Sequence, residues 1–111
     1  MDIVFRSDKL RDQCTDYKRR VRTWGSEQAK KIGQRLDDLK AAPNLGVMRN
    51  LPGRCHELKG ERAGHLSVDL VHPDRLVFEP AGENVSRKPD GGLDWDRVAG
   101  IRIAEIGDTH E

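Results

Sequence analysis

The sequence predicts an α+β fold in which an N-terminal strand and an antiparallel helical hairpin pack on a mainly antiparallel sheet of four to five strands. Three observations lead there. Apolar residues recur at spacings of three and four through the first forty or so positions, the period changes to two from residue 54 onward, and short polar turns separate the later apolar blocks. At 111 residues the chain has the size of one domain, residues 1–111, with one core.

Ile3, Val4 and Phe5 read as a short first strand, and Ser7 is placed to cap a helix behind it. Leu10, Cys14, Tyr17, Val21 and Trp24 then gather on one face of a single predicted helix that Gly25 ends. Ser26 caps the next helix, where Ala29, Ile32, Leu36 and Leu39 form a stripe that Pro43 closes. A joint of only Gly25 and Ser26 folds the two helices back on each other. In the second half Leu66, Val68 and Leu70 alternate with Ser67 and Asp69, a half-buried strand, while Leu76, Val77 and Phe78 suit the middle of a sheet. Ile101 and Ile103 alternate until Ala104 and Glu105 shift the phase to Ile106, which predicts a bulge. Turns at Gly60 to Gly64 and His72 to Asp74 make the strands a meander covered by the helical hairpin. Residues 80–97 are too long for a standard hairpin loop, with Leu93 and Trp95 pinning the far end.

Lys and Arg number 20 against 19 Asp and Glu, a formal net charge of +1 that hides a basic helix carrying Lys18, Arg19, Arg20 and Arg22. Such a face is compatible with nucleic acid or an acidic partner, although a charged stripe on a helix is more often only a solvated surface. Neither a signal peptide nor an apolar run long enough for a membrane span is evident, so the cytoplasm is the expected location and no membrane partner is expected. Cys14 and Cys55, without a CxxC or matching histidines, read as buried reduced thiols rather than a zinc site or disulfide framework.

No phosphate-binding glycine loop, HExxH or nucleophile elbow is present, and neither a cofactor nor a metal is expected. His56, Lys59, Arg62, Arg75, Asp108 and His110 fall on three segments that a meander would bring side by side. Metal-free RNA cleavage needs a base for the 2′-hydroxyl, an acid for the leaving 5′-oxygen and cations for the phosphorane charge. Histidine titrates near neutrality and suits the proton transfers, and Lys and Arg suit the charge. Each residue also has a structural reading, Arg75 as a partner of Asp69 or Glu79 among them.

The stretch from Leu51 to Gly64, with His56, then Leu58-Lys59-Gly60, Glu61, Arg62 and Gly64, resembles the RelE/ParE toxin superfamily in its HigB-like, killer-protein form. Ser67-Val68-Asp69-Leu70, Pro73-Asp74-Arg75-Leu76-Val77-Phe78, Gly92-Leu93-Asp94-Trp95, Ile101-Arg102-Ile103 and Asp108-Thr109-His110 extend the resemblance. It implies the RelE-like version of the fold above and the toxin of a type II toxin–antitoxin module, an endoribonuclease that cuts mRNA in the 30S ribosomal A site. It implies a helix-turn-helix, HigA-like antitoxin, with operator DNA bound only through that antitoxin. Carried over by residue, His56, Asp108 and His110 match catalytic positions, and Lys59, Arg62 and Arg75 match RNA- or phosphate-binding ones. The family tail often reads Asp-Tyr-His, and Thr109 stands where that tyrosine would stack on a base. The alternatives are a ParE-like inhibitor of DNA gyrase and a decayed toxin that only binds its antitoxin.

Overall fold

A computed structural model describes residues 1–82 and 87–109. Among these residues one sheet has the order β1-β5-β4-β3-β2. Its strands are β1 (Asp2–Phe5), β2 (His56–Glu57), β3 (Leu66–Asp69), β4 (Asp74–Pro80) and β5 (Gly100–Asp108). β1 runs parallel to β5, and every other pairing is antiparallel.

The first predicted helix is two: α1 (Asp8–Thr15) and α2 (Tyr17–Trp24). Asp16 breaks it, standing in extended conformation at φ −97° and ψ 114°. Its carboxylate accepts from the backbone N–H of Lys18 at 3.0 Å and of Arg19 at 3.3 Å. An aspartate competes with helical backbone bonding in this way, and here it starts a new helix instead of riding through the old one. The break leaves Tyr17 59% exposed and α2 without a fully buried residue, so the apolar stripe read across both helices is interrupted after Cys14 and returns only with the half-buried Trp24, which packs against the core. Arg20 ties the pieces together, donating from Nε to the Cys14 carbonyl at 2.8 Å and from a terminal nitrogen to that of Ala29 at 3.3 Å.

Gly25, not Ser26, is the N-cap of α3 (Ser26–Ala41), and Ser26 is its first helical residue. At φ 83° the chain turns through a conformation that suits glycine and reverses within one residue. Pro43 follows the C-cap, Ala42, as expected. Ile32 and Leu39 of α3 are fully buried, Leu36 is half-buried, and Arg35 is buried beside the stripe.

Leu10, Cys14, Ile32 and Leu39 meet the inner face of the sheet, formed by Leu66 and Val68, Leu76 and Phe78, and Ile101 and Ile103. Full burial of each large aliphatic or aromatic side chain contributes about 1.5–3 kcal/mol. Leu93 and Trp95 are buried in the same cluster and pin the end of the long connection. The predicted bulge is present: Val77 pairs with Glu105 and Phe78 with Ile103, leaving Ala104 as the extra residue. It keeps Ile103 on the inner face while both Arg102 and Glu105 belong to the outer face, which the helices leave uncovered. No helix among the described residues is long and apolar enough to cross a membrane.

Candidate functional site

The site is built on the outer face around the loop that enters β2. Gly53 at φ 112° and Arg54 at φ 52° make consecutive left-handed turns there. For Arg54 this conformation is costly, and residues so held concentrate at functional sites. Three bonds impose it: the Asp69 N–H donates to the Gly53 carbonyl at 2.7 Å, Arg54 Nε to Asp69 Oδ2 at 3.2 Å, and Arg35 Nε to the Asp69 carbonyl at 2.8 Å.

The turn orients His56. Its Nδ1 lies 2.8 Å from the Arg54 carbonyl oxygen, which can only accept, so Nδ1 carries the proton. In the neutral imidazole Nε2 then holds the lone pair, the form a general base requires.

Asp69 faces Arg75 across the β3–β4 ladder, with Arg75 Nε 3.8 Å from Oδ1. That distance gives an ion pair but no hydrogen bond. The Arg75 side chain is only 13% exposed, and its Nε–H is buried without a hydrogen-bond partner among the described residues. A buried orphan donor costs about 1–3 kcal/mol, and an anionic ligand recovers it only where the side chain turns outward to meet it. His56, Arg54, Asp69 and Arg75 thus form one linked cluster. A cavity of about 70 Å³ touches Arg54 and Asp69 of the cluster and is otherwise lined by residues of the β3–β4 turn, His72 among them, and by neither His56 nor Arg75. At about 30 Å³ per water it accommodates a chemical group rather than a whole nucleotide.

The other predicted site residues are distributed differently. Strand β3 stands between β2 and β4, so the three segments do not lie side by side, and Ser67 and Asp69 separate His56 from Arg75. Lys59 is exposed just before the short 3-10 helix Gly60–Arg62 and has no side-chain hydrogen bond or ion pair among the described residues. Arg62 reaches from that helix across the sheet to Glu105, Nε to Oε1 at 2.7 Å. Asp108 is exposed at the end of β5, in register with Asp74, whose carboxylate accepts from Gln28 of α3 at 2.9 Å. Alternation along β5 therefore assigns Asp108 to the helix side, whereas Gly107 stands opposite Arg75. His110 lies outside the described residues.

A second cluster, which the sequence did not single out for chemistry, lies further along the outer face. Glu79 receives His65 Nε2 at 2.9 Å and Arg102 at 2.8 Å. Only the pairing register could have revealed it, because it aligns Glu79 with Arg102 and leaves His65 one step before β3. Both cysteines are free, and burial pushes the Cys14 thiol up to about 11 and the Cys55 thiol to about 12, against a smaller opposing pull from Arg20 and Arg49. Cys14 is buried as expected, Cys55 is only half-buried, and the raised values make both poor nucleophiles.

Neither a protein-family model nor a curated protein matches the chain. Solved structures do. The chain is similar to a YoeB/ParE toxin from Agrobacterium tumefaciens at 16% identity and a TM-score of 0.60, over 99% of this chain and all (100%) of that one. It is similar to a YoeB dimer from Staphylococcus aureus at 22% identity and a TM-score of 0.56, over 100% of this chain and 98% of that one. A heterotetrameric YoeB-YefM toxin-antitoxin complex from the same organism gives 20% identity and a TM-score of 0.55, over 100% and 98%. At such identities the likeness establishes the fold, the α+β arrangement of a five-stranded sheet and helices found in RelE- and YoeB-like toxins.

Proposed function

We propose that this chain is the toxin of a type II toxin–antitoxin module and that it cleaves RNA on the outer face of its sheet. The observation that carries the reading is the His56–Arg54–Asp69–Arg75 cluster, in which a histidine held in its base tautomer shares a linked site with a buried, unsatisfied guanidinium N–H. In the proposed reaction His56 Nε2 takes the 2′-hydroxyl proton, O2′ attacks phosphorus, and the bond to O5′ breaks as that oxygen is protonated. The products are a 2′,3′-cyclic phosphate and a 5′-hydroxyl. Arg75 and Arg54 bind the phosphorane oxygens, with Lys59 supplying further positive charge along the RNA; Arg62, whose charge Glu105 offsets, is assigned an RNA contact on the sequence resemblance alone. His110 is assigned the leaving-group proton, and Asp108 a place beside it, on the sequence resemblance alone.

The fold-level likeness to toxins, one of them solved with its antitoxin YefM, supports a protein partner that neutralises the chain. We assign that partner to the helix-turn-helix, HigA-like class, with operator DNA reached only through it, and the ribosome and its mRNA as the substrate assembly in the cytoplasm.

The test is a defined mRNA incubated with purified protein, with and without ribosomes, and its termini mapped. Discrete cuts ending in cyclic phosphate are expected, falling about 10²–10⁴-fold in His56→Ala. Intact RNA under both conditions would overturn the reading, and gyrase-linked DNA breaks in arrested cells would replace it with ParE-like inhibition.

A further inference from the structure

A groove of about 420 Å³ runs along the outer face beyond the Arg62–Glu105 pair. Its volume lies within the range of small-ligand sites. Arg6, which follows β1, and Arg62 and His65, which precede β3, line it together with Arg102 and Ala104 of β5. Ala104 is the bulge residue, so the smallest side chain of the lining stands where the strand register shifts.

The groups lining this groove are of two kinds. Some are locked: Arg62 holds Glu105 through Oε1 at 2.7 Å, and Arg102 is fixed on Glu79 at 2.8 Å. Others are open: the Arg6 side chain and the Glu61 carboxylate make no hydrogen bond or ion pair among the described residues, and Oε2 of the Arg62-paired Glu105 carboxylate accepts no hydrogen bond there. Charge decides what they suit. Arg6, Arg62 and Arg102 are balanced by Glu61, Glu105 and the Glu79 behind Arg102, so an anion gains little here, unlike at Arg75. A neutral, planar ligand rich in donors and acceptors gains most, because guanidinium planes stack on bases and a fixed carboxylate accepts from a base edge.

We propose that this groove is a nucleobase subsite that reads guanine, with Glu105 Oε2 accepting from the Watson–Crick edge and Arg6 stacking on the ring. Guanine is the base that offers two adjacent donors there, N1–H and N2–H, to an acceptor-only group. The inference rests on the RNA-cleaving reading and adds base recognition to it. Glu105 is two residues along β5 from Gly107, which faces Arg75, so the subsite begins roughly 7 Å from the cluster that takes the phosphate. It also gives base recognition a location independent of Thr109.

The experiment is an NMR titration of the labelled full chain with guanosine 5′-monophosphate, adenosine 5′-monophosphate and inorganic phosphate in turn. Guanosine monophosphate should shift the Ala104 and Glu105 amides and the Arg6 Nε–H, with the adenosine nucleotide about 10-fold weaker. Glu105→Gln, checked for folding in the same spectra, should abolish that preference. Arg6→Ala and Arg6→Lys should weaken both nucleotides equally, since lysine keeps the charge but loses the plane. Equal affinity for the two nucleotides, or the same shifts from inorganic phosphate, would overturn the subsite. Shifts confined to His56, Arg54 and Arg75 would also overturn it while leaving the phosphate site standing, and RNA left intact in the cleavage assay would strike the parent reading instead.

Discussion

Replacing Gly53 by alanine tests the framework of the site at its narrowest point. A Cβ on Gly53 would lie 2.8 Å from Arg35 Nε and 3.2 Å from its Cδ and Cζ, and the residue sits at φ 112°. The backbone conformation costs an L-residue about 1–3 kcal/mol. Displacing Arg35 breaks its 2.8 Å bond to the Asp69 carbonyl and strands a buried donor, about 1–3 kcal/mol more. The stiffer unfolded chain returns about 0.4–1 kcal/mol, so the expected loss is about 1–6 kcal/mol. Urea unfolding followed by tryptophan fluorescence measures it, with an unchanged denaturant slope showing that only stability moved. The decisive comparison is the same substitution in an Arg35→Ala background, where only the conformational cost remains and the coupling is about 1–3 kcal/mol. A Gly53→Ala cost below about 0.5 kcal/mol, or an identical cost in both backgrounds, would refute the seating of this loop on Arg35.

Gln28 is buried and bonds Val71 through both its amide atoms, at 3.1 and 2.8 Å, so Gln28→Leu should cost about 1–3 kcal/mol in thermal unfolding. Leu39 is fully buried while Leu36 is not, so Leu39→Ala should cost about 2–5 kcal/mol and Leu36→Ala clearly less; the reverse order would place the helix on its other edge. The thiols predict an alkaline limit. Folded-state values of about 11 for Cys14 and about 12 for Cys55, raised from 9.0, mean that their contribution is complete below pH 9 and is lost as pH rises towards 12. The urea midpoint should therefore fall across that window more steeply in the native chain than in Cys14→Ala/Cys55→Ala, and parallel curves would show that burial does not act on the thiols.

Local periodicity made β1, β3, β4 and β5 legible, including the bulge at Ala104, because one inner face is buried and alternation must respect it, whereas the two-residue β2 carries no alternation to read. The helix break was hidden for a related reason: Leu10, Cys14, Tyr17, Val21 and Trp24 keep a helical spacing whether or not the backbone continues, and Asp16 acts through a cap that spacing does not record. His56 and Arg75 were found because residue chemistry and resemblance both point to them. Asp69 was legible only as a structural partner of Arg75, and Arg54 and Arg35 were not found, since their roles depend on a left-handed turn and on contacts 15 and 34 residues apart in sequence. The same limit concealed the groove, whose walls come from residues near positions 6, 62 and 102.

The cluster around Asp69 is better explained by binding than by stability. One carboxylate serves Arg54 at 3.2 Å and Arg75 at 3.8 Å, and the exposed member of such a set contributes about 0–1 kcal/mol. Against that stand the left-handed Arg54, costing about 1–3 kcal/mol, and the orphan Nε–H of Arg75, costing about as much again. Together these are a sizeable fraction of the roughly 5–15 kcal/mol by which a domain is stable. An arrangement selected for stability would place an apolar residue at Arg75 and a glycine at Arg54. A phosphate oxygen at Arg75 Nε would instead supply the absent hydrogen bond and add a second anion between two guanidinium groups. Ligand binding should then stabilise the fold as well as occupy the site, so an RNA analogue that raises the melting temperature of the native chain should lose that effect in Arg75→Leu, even though this variant alone is the more stable protein.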